Sequence, residues 1–147
     1  MHVSFALFAD AANISREGKL NILGVFDAIQ VGTLPAVHPR ATLVVRLKGR
    51  PQDVGVHVMT MRWLNPRGDE LWTSNGQLDI QPPPPGTPEP GEMDLPLIAA
   101  LDLPVDLAGA YTLQISLDDA PKHEVKLQVH GQAQTMVPAT AGVGLVS

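Results

Sequence analysis

Cysteine is absent from this chain of 147 residues, which excludes disulfide bonds, thiolate metal sites and thiol nucleophiles. Small secreted domains commonly carry disulfides, so we expect a cytoplasmic location. Charged residues make up only 17% of the chain, and the formal net charge is -5. The basic residues are scattered and form no stripe that would neutralise phosphates, so we expect no nucleic-acid binding.

Long apolar runs are also missing. No run approaches the roughly 18 residues that a membrane-spanning helix needs, so we expect no membrane association. The segment 1–9 is apolar, but it has no lysine or arginine and Asp10 interrupts it. It alternates as a strand does, so we expect no signal peptide.

The sequence signatures of catalysis and cofactor binding are absent as well. There is no Gly-x-Ser-x-Gly elbow, no glycine-rich phosphate loop between a strand and a helix, and no Asp-x-Asp-x-Asp-Gly calcium loop. The five histidines are separated and form no His-x-His or His-x-x-x-His pair of the kind that binds zinc. We therefore expect no enzyme activity, no cofactor and no metal.

The sequence does contain repeated alternation of apolar and polar residues, the period of a β-strand. The clearest case runs from Tyr111 to Leu117, and 13 glycines and 14 prolines supply turns between such runs. The segment 34–39 contains two prolines that remove ladder donors, so it is predicted to be a connection. The alternation predicts eight strands, at about 2–9, 19–30, 41–48, 54–64, 70–80, 97–103, 111–117 and 123–130.

Eight short strands with one apolar face each require a second layer to cover that face. Two packed antiparallel sheets provide it, and an eight-stranded barrel is the competing arrangement. The step Gly109-Ala-Tyr111 is typical of the tyrosine corner of Greek-key sandwiches, where the hydroxyl bonds backbone upstream. We predict an all-β, Greek-key, immunoglobulin-like antiparallel β-sandwich of about eight strands over residues 1–130, with a proline-rich loop at 81–91 and a flexible tail at 131–147.

Four polar residues form the candidate cluster for chemistry. Asp10 and Asp27 flank the first two strands and would lie close together if these strands pair as a hairpin. Paired carboxylates can hold calcium or act as acid and base. His38 and Arg40 would present an imidazole beside a guanidinium from a loop. The alternative is that all four are ordinary strand-end and turn residues that face solvent.

A second candidate is a contact surface for a sugar or a peptide. An exposed Trp72 would mark such a surface. The prolines Pro82, Pro83, Pro84 and Pro85 favour the extended polyproline conformation that aromatic grooves of other proteins recognise. Core packing of the tryptophan and a merely stiff loop are the alternatives.

Several segments resemble a family of short bacterial proteins that is classed only as a domain of unknown function. The resemblance covers about residues 2–130 and implies a single β-sandwich domain with no assigned chemistry. It rests on the block Asn13-Ile-Ser-Arg-Glu-Gly-Lys-Leu-Asn-Ile-Leu-Gly-Val-Phe-Asp27, the step His38-Pro-Arg40, the run Leu43-Val-Val-Arg46, the turn Asn65-Pro-Arg-Gly68 and the corner Gly109-Ala-Tyr111.

The function we expect is that of a non-catalytic binding or assembly module. Sandwich edges present unpaired backbone groups, so the partner would be another protein or a second copy of the chain. One alternative is a calcium- or carbohydrate-binding module that uses strand-end acids and Trp72. The other is a hydrolase that uses Asp10, Asp27, His38 and Arg40.

Overall fold

The computed structural model describes residues 1–88, 91–118 and 120–133. No helix in these ranges is long and apolar enough to cross a membrane. The all-β prediction is confirmed, with one short 3-10 turn at Pro51–Asp53. The described residues form nine strands: β1 (His2–Ile14), β2 (Leu20–Phe26), β3 (Ala28–Leu34), β4 (Ala36–Gly49), β5 (Gly55–Leu64), β6 (Glu70–Ile80), β7 (Met93–Val105), β8 (Gly109–Leu117) and β9 (His123–Ala133).

The strands form two sheets that pack face to face, as the alternation of apolar and polar residues predicted. Sheet A has the strand order β2-β1-β4-β7, and sheet B has the order β3-β9-β8-β5-β6. All pairs are antiparallel except β3 with β9, which are parallel, so the wholly antiparallel prediction is wrong at this edge. A single residue, Asp27, separates β2 from β3. One residue is too short for a hairpin turn, so β3 does not fold back on β2 and the chain passes directly into sheet B.

The predicted second strand, 19–30, and the predicted connection, 34–39, both needed correction. The run 19–30 divides between two sheets at Asp27, which is why there are nine strands rather than eight. β4 begins at Ala36 because Pro39 and Arg40 lie at an irregularity in the ladder with β7, where a missing N–H is tolerated. β9 runs to Ala133, three residues into the predicted tail, and 134–147 lie outside the described residues.

The core lies between the sheets and uses the predicted alternating positions. Trp63 of β5 is fully buried, stacks on Tyr111 with ring centroids 5.1 Å apart, and meets Phe8 of β1 edge to face. Its indole N–H donates to the carbonyl of Pro104 at 2.8 Å, which ties sheet B to sheet A. The alternation in β4, β8 and β9 also predicts one apolar face for each strand. The buried members of these faces are Leu43, Val45, Leu47, Leu113, Ile115, Leu117, Val125, Leu127 and Val129.

The hydroxyl of Tyr111 bonds backbone upstream, as the corner motif predicted. It accepts hydrogen bonds from the N–H groups of Asp106 at 2.8 Å and Leu107 at 2.9 Å, and it lies 2.8 Å from the Asp106 carboxylate. Asn65 donates to the other carboxylate oxygen of Asp106 at 3.0 Å. Burial alone would raise the pKa of Asp106, but these hydrogen bonds outweigh burial and lower it. The network holds the connection that carries the chain from β7 in sheet A to β8 in sheet B.

Candidate functional site

The four residues of the predicted polar cluster contact different partners. The backbone N–H of Arg40 donates to Asp102 at 2.9 Å, and the His38 ring lies 5.9 Å from the ring of Phe26. The carbonyl of Asp27 accepts from the amide of Gln128 at 2.8 Å. Within the described ranges, no hydrogen bond or ion pair joins any two of Asp10, Asp27, His38 and Arg40. The hydrolase and calcium interpretations therefore gain no geometric support and stay predictions.

Asp10 has a structural contact instead. Its carboxylate lies against Gly24 of β2, in the space that a side chain at position 24 would fill. Gly24 has a φ of 71°, a conformation that glycine adopts at little cost. The Asp10 side chain therefore packs beside a bend in the β1–β2 hairpin.

The predicted contact surface is not one surface. Trp72 is only partly exposed, packs against the core, and has its indole N–H buried without a hydrogen-bond acceptor among the described residues. It lies opposite Trp63 in the β5–β6 ladder. The prolines Pro82–Pro85 are exposed, but they follow the far end of β6. Ile80 is eight residue steps of extended chain from Trp72, a distance of about 26 Å.

The strongest surface feature is the hairpin of β1 and β2, which sequence reasoning did not select. Its turn is closed by the amide of Ser15, which donates to the carbonyl of Lys19 at 2.8 Å. A groove of about 510 Å³ lies between the hairpin tip and the outer face of sheet A. Glu17, Leu20 and Ile22 line it from the hairpin, and Phe5, Arg46 and Pro96 line it from the sheet.

Two residues of sheet A are buried although they point away from the core. Ala9 is 1% exposed and Val44 is 0% exposed, although neither belongs to the core cluster between the sheets. Both lie on the outer face of sheet A, as their alternation with Phe8 and Leu43 requires. The hairpin tip lies beside the same face, where Glu17 and Leu20 line the groove with Phe5 and Arg46. Other apolar residues of the hairpin are exposed.

Leu23 and Val25 of β2 are 71% and 60% exposed, and together they are called the hairpin surface below. β2 is an edge strand of sheet A, and the run Leu20–Phe26 contains neither a charged residue nor a proline. Large apolar side chains on such an edge are typical of a contact surface. The alternation of this uncharged run predicts that Leu20, Ile22 and Phe26 point inward. Of these, only Phe26 packs against the core, and Leu20 and Ile22 line the groove instead.

The other sheet edges carry the features that prevent unwanted pairing. β7 contains Pro96 and Pro104, and β6 contains Glu70 and Asp79. The third edge strand, β3, has a register irregularity between Gln30 and Thr33. Prolines, charges and bulges all discourage the addition of another strand. Among the edges that the structure describes, β2 combines no charge and no proline with two highly exposed apolar side chains.

A separate polar group lies at the end of the sandwich where β5 begins. His57 Nδ1 lies 2.6 Å from the carboxylate of Asp118, and its Nε2 contacts the backbone carbonyl of Asp53. The hydrogen bond to Asp118 and then the bond to Asp53 raise the pKa of His57 above its ordinary value. Sequence reasoning missed this group because its members are up to 65 residues apart.

The described residues contain no group of three histidine, aspartate or glutamate side chains placed to bind a metal ion. A scan against protein-family models matched residues 4–130 to a family of unknown function. A search of curated proteins found no match. The predicted resemblance to a domain of unknown function is confirmed, while the bacterial origin and the motifs of that resemblance stay predictions. Since the matched residues are most of the chain, the protein belongs to the family of unknown function DUF6941.

Proposed function

We propose that this protein is a non-catalytic protein-interaction module that binds its partner through the hairpin surface. One observation carries the proposal: Leu23 and Val25 are 71% and 60% exposed on an edge strand that has no charge and no proline. Burying two such side chains on a partner removes apolar area from water, which favours association by roughly 25 cal/mol per Å².

The backbone of β2 adds a second kind of contact. The closing pair of the turn is Ser15 with Lys19, and hydrogen-bonded pairs alternate along an antiparallel ladder. Lys19, Asn21, Leu23 and Val25 therefore bond to β1, while Leu20, Ile22 and Phe26 direct backbone groups away from it. An extended segment of a partner can pair with these groups, as in other strand-addition complexes.

The non-catalytic part of the proposal is supported by how the polar side chains are used. Asp106 and Asn65 hold the corner at Tyr111, and Arg46 pairs with Asp94 at 2.7 Å on the surface of sheet A. Catalysis requires reactive groups that converge on one position. The four polar residues named here have structural contacts instead, which favours a binding role.

The scaffold is, in this proposal, a Greek-key sandwich of the immunoglobulin type. The chain crosses between the sheets after β2, β3, β4, β6 and β7, and the corner at Tyr111 fixes the last crossing. Such crossings and corner are typical of that topology. The cytoplasmic location is likewise a proposal, which the lack of cysteine favours.

Replacing Leu23 and Val25 together with lysine is expected to weaken partner binding strongly, because two charges replace the apolar contact. The domain should stay folded, because both side chains face solvent. The tagged full-length chain would be purified from its own host, and the proteins retained by the wild type and by L23K/V25K would be quantified by mass spectrometry. We expect the double variant to retain the partner at least about tenfold less well. Amide hydrogen exchange on the purified complex should show protection at Ile22 and Phe26.

The matched control carries the same charges at two other exposed valines. Val37 of β4 and Val56 of β5 are 58% and 62% exposed. The variant V37K/V56K should retain the partner as the wild type does. Equal retention by the wild type and L23K/V25K, or a complex in which the β2 amides gain no protection, would contradict the proposed function.

A further inference from the structure

His57 lies between two oxygen acceptors from different parts of the chain. Its Nδ1 faces the carboxylate of Asp118 in the β8–β9 turn, and its Nε2 faces the carbonyl of Asp53 in the 3-10 turn. Neither a carboxylate nor a carbonyl can donate a hydrogen bond. Both contacts are therefore hydrogen bonds only when both ring nitrogens carry a proton, that is, when His57 is an imidazolium.

Asp118 makes a second set of contacts that depend on its position. Its other carboxylate oxygen accepts from the amide of Val58 at 2.8 Å, and its own amide donates to the carbonyl of Val58 at 2.9 Å. Its φ of 45° is in the left-handed region, which costs a non-glycine residue free energy. The contacts of Asp118 with Val58 help to maintain this backbone conformation.

We propose that His57, Asp118 and the carbonyl of Asp53 form a proton-dependent clamp that holds the β8–β9 turn against the start of β5. When His57 loses its proton, one of the two contacts becomes an acceptor facing an acceptor, and the turn is released. The turn also lines a cleft of about 240 Å³ with His2 and Val3, so release changes the shape of that cleft. This device is independent of the hairpin surface.

The charged groups around His57 favour its protonated form. Asp118 faces it from the β8–β9 turn and Asp53 faces it from the 3-10 turn. The Asp53 side chain is itself bonded to the amide of Arg50 at 2.7 Å and lies 3.1 Å from the amino group of Met1. In the β5–β6 ladder the residue opposite His57 is the uncharged Leu78.

The direction of the pH dependence follows from these contacts. The hydrogen bond to Asp118 raises the pKa of His57 from its ordinary 6.5, so the clamp is fully closed below about pH 6.5 and opens as the pH rises through the raised value. The amide of Val58 and then His57 lower the pKa of Asp118 from 3.8, so the carboxylate contributes above about pH 3.8 and is lost in stronger acid. The clamp is strongest between these limits.

Nitrogen-15 NMR of the full chain, titrated from about pH 5 to about pH 9, tests the clamp without any substitution. We expect both ring nitrogens of His57 to be protonated at the acidic end of the titration and to lose a proton at a pH above the ordinary histidine value. After correction for the intrinsic exchange rate, the protection of the Val58 amide should fall about threefold to tenfold across that titration. Titration of His57 at or below the ordinary value, or constant protection of Val58, would overturn the proposal.

Two variants and one control separate the clamp from a general effect of pH. D118N keeps an oxygen for the Val58 amide and places an NH2 donor opposite Nδ1 of neutral His57, so the protection of Val58 should no longer fall as the pH rises. H57Q should do the same. H130Q changes an exposed histidine of β9 and should behave as the wild type does. A pH dependence that survives in both D118N and H57Q would also overturn the proposal.

Discussion

Replacing Tyr111 with phenylalanine is expected to lower the free energy of unfolding by about 2–4 kcal/mol, although only one oxygen atom is removed. Tyr111 is fully buried, and its hydroxyl accepts from the amides of Asp106 and Leu107. Without it, both amides lose their acceptor. Each of these part-buried hydrogen bonds contributes about 0.5–1.5 kcal/mol, and the bond from the hydroxyl to the Asp106 carboxylate contributes about 1.5–3 kcal/mol.

Urea denaturation of Y111F beside the wild type measures this loss directly. The control is S74A, which also removes one hydroxyl oxygen but at an exposed position of β6. We expect S74A to change the free energy of unfolding by no more than about 0.5 kcal/mol. Equal stability of Y111F and the wild type would show that the corner does not hold the crossing between β7 and β8.

Replacing Gly24 with alanine is expected to destabilise the domain by about 2–3 kcal/mol. The φ of 71° at Gly24 costs an L-residue about 1–2 kcal/mol. A methyl group there would also displace the side chain of Asp10, since the position of the added carbon lies within contact of three Asp10 atoms. Thermal or urea unfolding of G24A gives the magnitude.

The same substitution at Gly76 is the matched control for G24A. Gly76 lies in β6, has no positive φ and has nothing within 4 Å of an added methyl group. G76A should be neutral or slightly stabilising, by up to about 1 kcal/mol, because glycine in a strand interior is entropically costly. The double variant D10A/G24A should lose less stability than the two single changes summed. A G24A protein as stable as G76A would show that the bend imposes no such constraint.

Most of the fold could be predicted because the core strands alternate with period two. Leu113, Ile115 and Leu117 point inward in the sequence pattern and in the structure. The division of 19–30 between two sheets could not be predicted in this way. The sequence pattern predicts one strand over 19–30, but the exchange of sheets at Asp27 depends on pairing with β9, a hundred residues away.

The hairpin surface could be predicted only in part. Since Leu20, Ile22 and Phe26 were assigned inward, strict alternation places Leu23 and Val25 on the opposite face. What the sequence does not show is whether another strand covers that face. In the structure Leu23 and Val25 are exposed. β2 lies at the edge of sheet A, and the groove side of the hairpin is formed by Leu20 and Ile22.

The His57 clamp had no local signal at all. His57 and Asp118 are 61 residues apart, and they meet because β5 pairs with β8. For Asp10, Asp27, His38 and Arg40, by contrast, the sequence did give a signal. Their positions near strand ends suggested that the four side chains would lie close together. In the structure each of these residues contacts a different neighbour: Asp10 lies against Gly24, Asp27 bonds Gln128, His38 lies beside Phe26 and Arg40 bonds Asp102.

Site-specific photo-crosslinking in the native host tests most directly the claim that the hairpin surface binds another protein. A photoreactive residue would replace Val25 in one strain and Gln77, an exposed residue of β6 on the other sheet, in a second strain. We predict a discrete protein adduct from position 25 and none from position 77. Adducts of equal yield from both positions, or none from position 25, would contradict the claim.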